Sequence, residues 1–370
     1  MRTNFYLMLL VFFSFSGCSP KNEIEACYEY LKKHGQLPKD YVISKFEQYD
    51  YVFLGEYHRN KQDVDFVISL IPDLYENGIR SIAYEFYEYE FQPVIDSLLT
   101  AKEWDEKMLY YNVKNVIWGY FEYLDLFKKV WEFNQTLNFD QEKFRLVMLG
   151  FDYNPCKNDP FEDFDPEEFM ADIIEEEIIS KGEKALIYCG IHHAFTRYRQ
   201  PAYDFEKDTL YISNNERTGN IIHRKFPEKT ITINLHSPWV SDKGWDKQRV
   251  KPVNGVIDSV MSMLNNIPMG FDTKSTIMGN LKATDTYYAF GYENFKLADF
   301  CDGYIFLLPY KEVKFVSVEP NYYNDYYLNK LKAFMKCVGW QDEQIQMITK
   351  EKAIELLTER PEVHYGDLMK

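Results

Sequence analysis

No two of the six cysteines in this 370-residue chain stand at C-x-x-C spacing, so neither a zinc ribbon nor a thioredoxin-like redox site is encoded. Positive charge is also scarce: 42 Lys and Arg against 58 Asp and Glu leave a formal net charge of −16. No Lys/Arg cluster is dense enough to form a basic stripe, which excludes non-specific nucleic-acid binding. The G-x-S-x-G, H-E-x-x-H and P-loop patterns are missing, and serine-hydrolase, zincin and nucleotide-binding readings go with them. Neither a sequence repeat nor a low-complexity block is present. What is abundant is apolar and aromatic mass. Hydrophobic residues make up 46%, with 30 Tyr and 28 Phe, enough for a sizeable core in one large domain or two. Aromatic content alone does not separate core packing from sugar or haem stacking.

Residues 1–17 read as a targeting segment, with Arg2 as its positive start and an apolar stretch, Phe5 to Phe15, too short to span a bilayer. It runs into Phe15-Ser16-Gly17-Cys18, which resembles a bacterial lipobox and makes Cys18 the expected lipidated amino terminus. Ser19-Pro20-Lys21-Asn22 then looks like a tether, and it lacks the acidic run of surface-export signals. The expectation is a lipid-bilayer-anchored lipoprotein facing the periplasm of a Gram-negative bacterium. Residues 18–47 form the tether and a leading helix, 48–310 the main domain, and 311–370 a C-terminal helical pair packed on that domain.

Within the main domain, short apolar runs alternate with helical patterns. Val52-Phe53-Leu54 suits a buried strand, and Gly55 lets the chain turn so that Glu56 and His58 leave its carboxyl end. Val64, Val67, Ile68, Ile71 and Leu74 recur at helical spacing, Gly78 closes that helix, and Ile79 to Ala83 forms a second strand ending at Glu85. A helical excursion is expected over 88–137, with Tyr123, Leu124, Phe127, Val130 and Trp131 on one buried face. The third strand, Phe144 to Leu149, ends in Gly150-Phe151-Asp152. Asp165-Pro166-Glu167-Glu168 is a helix start, and the helix ends at Gly182. The fourth strand, Ala185 to Cys189, ends in Gly190-Ile191-His192-His193; the fifth, Thr230 to Leu235, ends at His236; a sixth covers Tyr304 to Leu308. Loops or a small excursion are expected over 194–228, and a partly ordered lid over 237–300.

The alternation predicts an α/β fold with a mainly parallel sheet flanked by helices on both faces, helical excursions and the C-terminal pair. Carboxyl ends of parallel strands lie along one edge of a sheet, where ligands bind. Glu56, His58, Glu85 and His193 therefore form the candidate catalytic set, with Asp152, His192 and His236 in support. The same four side chains are candidate ligands for a divalent metal, which would lower the pKa of a bound water. Without a metal, His58 would take the proton while Glu56 or Glu85 fixes its tautomer. Glu85, following Ile82-Ala83-Tyr84, must find a partner near the core edge, whereas Glu88 and Glu90 are expected to be solvated.

Leu54-Gly55-Glu56-Tyr57-His58, Glu85, Gly150-Phe151-Asp152 and Gly190-Ile191-His192-His193, in that order, resemble the motifs of the superfamily of ChaN-like haem-binding lipoproteins, erythromycin-esterase-like enzymes and Tiki/TraB-type proteins. The resemblance spans about residues 48–310, with His193 at the histidine of the G-x-x-H pattern. It implies an α/β fold with its site in those motifs, esterase or metalloprotease activity in some members and haem binding in others. Arg59-Asn60-Lys61-Gln62 follows His58 where erythromycin-esterase-like proteins often carry glycine, which argues against a macrolide substrate. Three functions are thus expected of the chain: hydrolysis of an ester or amide in a small-molecule or peptide substrate, haem or iron binding through His and Tyr, or partner binding in the envelope.

Overall fold

The computed structural model describes residues 20–110, 119–151, 164–204, 207, 209–242, 249–358 and 365–369. Cys18, the targeting segment, Cys156 and Asp152 lie outside the described residues. Two short helices, α1 (Pro20–His34) and α2 (Pro38–Lys45), lead into β1 (Tyr51–Glu56), where a single leading helix was expected. The chain continues through α3 (Lys61–Glu76), β2 (Ser81–Glu88), α4 (Gln92–Thr100), α5 (Lys107–Tyr110), α6 (Phe121–Thr136) and β3 (Arg145–Gly150). Next come α7 (Pro166–Glu177), β4 (Ala185–Gly190), a hairpin of β5 (Pro201–Asp204) and β6 (Thr209–Ile212), α8 (Thr218–Lys225) and β7 (Thr230–Leu235). A second small hairpin, β8 (Trp239–Val240) with β9 (Arg249–Val250), precedes α9 (Val256–Met263), β10 (Met269–Asp272), α10 (Leu297–Phe300) and β11 (Gly303–Phe306). The chain closes with α11 (Asp325–Cys337), α12 (Asp342–Gln346) and α13 (Lys350–Thr358), so the second of the two expected terminal helices is broken in two.

Seven strands form one sheet in the order β10-β11-β7-β1-β4-β2-β3, parallel throughout except for β10, which runs antiparallel to β11. The first strand sits between β7 and β4, and later strands are laid down on both sides of it. That reversal of direction is a topological switch point, where a crevice opens beyond the carboxyl ends. The register brings those ends level: Glu56 lies beside Gly190, Gly55 beside Asn234, and Tyr84 beside Tyr188.

Both faces of the sheet are covered, which is why its strands read as unbroken apolar runs. Val52, Leu54, Tyr84 and Tyr188 pack with Val64, Leu70, Phe127 and Val130 of α3 and α6 in one cluster. Tyr327 and Met335 of α11 join the same cluster. The alternate residues Phe53, Ala83, Ile187 and Cys189 pack on the other face against Met170 and Ile174 of α7 and Ile221 and Ile222 of α8. Each fully buried large aliphatic side chain contributes about 1.5–3 kcal/mol of transfer free energy. The helix α3 carries its apolar residues on the buried face and is followed by Gly78 at φ 83°, as its spacing predicts. Asp165 caps α7 by accepting from the Glu167 and Glu168 amides; the α-helix stops at Glu177 and a short 3-10 turn carries the chain to Gly182 at φ 70°.

The stretch 237–300 departs from expectation. Its described part is packed rather than lid-like: Trp239, Phe271, Tyr287, Tyr288, Phe295 and Phe300 form a third cluster with Cys27 and Leu31 of α1. Its glycines permit close approach rather than looseness, as where Gly270 lies against the ring of Tyr41. The edge strand β10 within it went unread because four residues with a glycine among them carry no usable period. The stretch 194–228 likewise holds the β5–β6 hairpin and α8. Glu88, expected in solvent, is 1% exposed.

Candidate functional site

Glu56 ends β1 on the face covered by α3 and α6, and its side chain is fully buried. Three donors converge on it. His58 Nδ1 lies 2.9 Å from Oε1, the Tyr123 hydroxyl donates to the same oxygen at 2.5 Å, and the Tyr188 hydroxyl donates to Oε2. Tyr123 comes from α6 and Tyr188 from β4, so the two elements beside β1 fix this carboxylate. His58 is carried two residues further on, in the turn between β1 and α3, and its ring packs edge-on against Phe86 at 5.5 Å.

The other half of the site grows from the opposite face. In β2 the pairing with β3 slips between Tyr84 and Glu88, an irregularity of the kind that re-aims side chains near sites. Glu85 accepts the Gly190 amide at 2.6 Å through Oε2, and its Oε1 lies 3.4 Å from His193 Nε2. His193 Nδ1 is 2.8 Å from Glu167 Oε2. Glu167 is held in turn by Arg217 at 2.6 Å and by the Thr218 amide and hydroxyl at 3.0 and 2.8 Å, at the start of α8. The amino terminus of a helix favours the negative charge there.

Gly190 joins the halves. A Cβ on it would stand 2.5 Å from His58 Cε1, 2.8 Å from His58 Nε2 and 3.4 Å from Glu85 Oε2. The absence of a side chain lets two carboxylate–imidazole pairs from opposite faces meet over the edge of the sheet. Four sequence-predicted residues, Glu56, His58, Glu85 and His193, are thereby brought together.

His192 is a neighbour with different bonding, its Nε2 lying 2.9 Å from the Tyr288 hydroxyl. Burial, reinforced by Arg217, His193 and His58, drives its pKa well below the ordinary histidine range, so it is neutral at pH 7. His236 stands apart. Its ring contacts Tyr304 through Nδ1 at 3.0 Å, stacks on Tyr310 at 4.7 Å and reaches toward Asp258, and among the described residues none of its contacts is with Glu56, His58, Glu85 or His193. The β7 end that carries it lies beside β11, whose aromatic residues absorb the ring. Three participants were not anticipated as site residues: Glu167, Tyr123 and Tyr188. A signal existed for the first, because Glu167 shares a helical face with Met170, Ala171 and Ile174, and an acid on a buried face needs a partner.

Residues 42–147 match the family model described as haem-binding uptake, Tiki superfamily, ChaN. That segment, less than a third of the chain, is similar to the ChaN/Tiki superfamily. The matched segment contains Glu56, His58 and Glu85, and stops short of Glu167 and His193. No curated protein matches the sequence. Among solved structures, the chain is similar to a succinoglycan biosynthesis protein (11% identity, 81% of this chain and 98% of that one covered, TM-score 0.52), a likeness that shows the fold. A protein of Bacillus cereus aligns at 10% identity over 76% of this chain and 96% of that one, with TM-score 0.48. ChaN of Campylobacter jejuni, described with cofacially bound haem, aligns at 14% identity over 53% of this chain and 85% of that one, with TM-score 0.34.

The donor set does not fit the divalent metal that the strand-end residues suggested. Glu56 spends its lone pairs on two phenols and an imidazole, and Glu167 on an imidazole, a guanidinium and α8. Among the described residues, no group of three or more His, Cys, Asp and Glu side chains is arranged to hold a metal ion.

Charge in the second pair is set by proximity. Burial would strip the proton from His193, but the carboxylates of Glu167 and Glu85 outweigh burial and Arg217 and raise its pKa to about 9. Burial opposes ionisation of Glu167 too, yet His193 and Arg217 hold its carboxyl well below the usual range. His193 is therefore an imidazolium at pH 7. The unfolded histidine titrates near about 6.5, so the folded state binds the extra proton between that value and about 9. This stabilisation is fully present below about 6.5 and is lost as pH rises through about 9. The urea midpoint of the wild type is expected to fall across that window by more than that of His193→Gln, and parallel pH profiles would refute the assigned charge.

Proposed function

We propose that this protein is a hydrolase of an ester or amide bond, with His58 as general base. The observation that carries this reading is the meeting, over Gly190, of a Glu56-oriented imidazole with a second imidazole held cationic by Glu167 and Glu85. Glu56 accepts from Nδ1 of His58, which leaves Nε2 as the nitrogen that takes a proton from water. The water oxygen bonds to the carbonyl carbon, and the charge gathering on the carbonyl oxygen is stabilised by the nearby positive charge of His193. The carbon–oxygen or carbon–nitrogen bond then breaks, and the proton passes from His58 to the leaving atom. Glu85, bonded to the Gly190 amide, holds His193 and the turn in register.

The test is a panel of ester and peptide substrates against the purified mature protein. His58→Ala is expected to lower kcat/KM by about 10²–10⁴-fold with the fold intact by circular dichroism. Absence of turnover across the panel, or equal turnover by wild type and variant, would remove the reading.

The family match supports a second reading, haem binding. The residues fit such a ligand in chemistry: His58 is an imidazole with about two-fifths of its side chain exposed and its Nδ1 fixed by a carboxylate, an orienting partner of the kind iron-binding histidines use. Haem held there would supply iron-centred ligand chemistry, and His58 would hold it. Titration with haem at micromolar concentration is expected, on this reading, to give a shifted Soret band that His58→Ala abolishes. An unchanged spectrum would discard it.

We also infer attachment to a membrane through Cys18, with the folded part facing the periplasm. The lipobox-like sequence supports this, as does the disulfide at Cys337, a bond suited to an oxidising compartment. No described helix is long and apolar enough to cross a membrane. Labelled palmitate fed to expressing cells is expected to enter the wild type and not Cys18→Ala, and equal labelling would defeat the anchor.

A further inference from the structure

We propose that Tyr188 and Tyr123 are positioning residues for His58, acting through Glu56 to fix which ring nitrogen carries the proton. This rests on the reading of Glu56 and His58 as the working pair and goes beyond it by assigning the groups that keep the pair in order.

The need arises from burial. The Glu56 side chain has no exposure, and a carboxylate in such a place must fill its lone pairs. Among the described residues, no Lys or Arg pairs with it. Two phenols fill those lone pairs, one on each oxygen, and His58 Nδ1 shares the oxygen held by Tyr123. Both phenols are themselves buried, at 1% and 0% exposure, and burial foremost, with the charge of Glu56 in support, pushes their pKa values well above the ordinary range. They are thus permanent O–H donors at working pH, and Glu56 can only accept from them. A carboxylate so pinned presents a fixed acceptor to His58, and Nδ1–H with an unprotonated Nε2 becomes the favoured neutral tautomer.

Tyr123 has a second grip on the same turn. Its hydroxyl accepts the Arg59 amide at 2.9 Å, and Arg59 holds a left-handed φ of 76°. That conformation is strained for a residue with a Cβ, so something must hold it. The hydrogen bond to Tyr123 does so immediately after His58. One phenol therefore fixes both the carboxylate that orients the ring and the backbone that carries it. Tyr123 is in turn fixed from below, since the Tyr84 hydroxyl donates to its carbonyl at 2.9 Å.

The experiment reads the imidazole tautomer directly, and needs no substrate. In ¹⁵N-histidine-labelled protein, with the His58 signals assigned by their loss in His58→Gln, the wild type is expected to show protonated Nδ1 and unprotonated Nε2 for the neutral ring. Tyr188→Phe and Tyr123→Phe are each expected to shift the His58 resonances toward a tautomer mixture. Tyr87→Phe, which also removes a buried hydroxyl but one bonded to the Leu109 carbonyl at 2.8 Å, is expected to leave them in place. If either phenol variant fails to fold, the other decides the matter. Where a substrate has been found, kcat is expected to fall by about 10- to 100-fold in the phenol variants with KM unchanged, the usual scale for removing an imidazole's outer partner. A wild-type tautomer ratio persisting in the folded phenol variants would overturn the proposal, whatever the panel shows. Failure of the panel alongside a shifted tautomer would overturn only the hydrolase reading.

Discussion

A carboxylate buried at the end of the central strand is the constraint around which this molecule is built. The Glu56 side chain has no exposure, and its hydrogen-bonding neighbours make that tolerable. The helix α6 is placed to bring Tyr123, β4 to bring Tyr188, and the turn after β1 to bring His58. The burden extends to Asp63, one turn into α3 and fully buried: burial first, and then the charge of Glu56, push its carboxyl well above the usual range. Asn60 donates to Asp63 at 3.0 Å, and Tyr365 donates to Asn60 at 2.8 Å, so the far end of the chain is tied to the same buried acid. Two carboxyl groups in one apolar neighbourhood do not both ionise readily; the phenols go to Glu56, and Asp63 bears the upward shift.

Sheet topology explains why these groups meet an independent second pair. Alternation along β1 and β2 sends Glu56 to the α3/α6 side and Glu85 to the α7/α8 side, as their neighbours in the two core clusters show. Such groups meet only where the sheet ends. The register of β1 on β4 puts Gly190 at that point, and only a residue without Cβ leaves His58 its place there. A crevice at a switch point is thus a consequence of strand order, but its chemistry depends on one glycine.

The order of apolar runs and helical patterns made the fold class legible, because strands buried on both faces and helices with one apolar face each leave a clear period. The four meeting residues were legible because an ionisable group just past an apolar run has to sit at the carboxyl edge. Their partners were hidden by economy of explanation. Glu167 follows a capping aspartate and a first-turn proline, and that pattern accounts for an acid without asking where its side chain goes. Tyr123 and Tyr188 counted as apolar members of a helix face and a strand, and period arguments do not track hydroxyl groups. His236 met the strand-end criterion yet packs among Tyr304 and Tyr310, since position at an edge does not say on which side of it a ring is absorbed. The stretch 237–300 was opaque because its elements are short and its cluster is assembled from residues distant in sequence.

The two imidazole–carboxylate pairs are constructed differently. Glu167 is neutralised twice, by His193 and by Arg217, with α8 adding its amino-terminal dipole. Its negative charge is spent in holding one proton on His193, whose pKa is raised to about 9. Glu56 is satisfied by neutral phenols, so its hydrogen-bonding capacity is used while its charge is not cancelled by a resident cation. That charge remains available to stabilise His58 when His58 gains a proton. One pair is therefore held by opposite charges and the other by neutral phenols. An arginine where Tyr188 stands would bond Glu56 equally well but would cancel its charge, whereas a phenol fills the lone pairs and leaves the charge of the carboxylate in place.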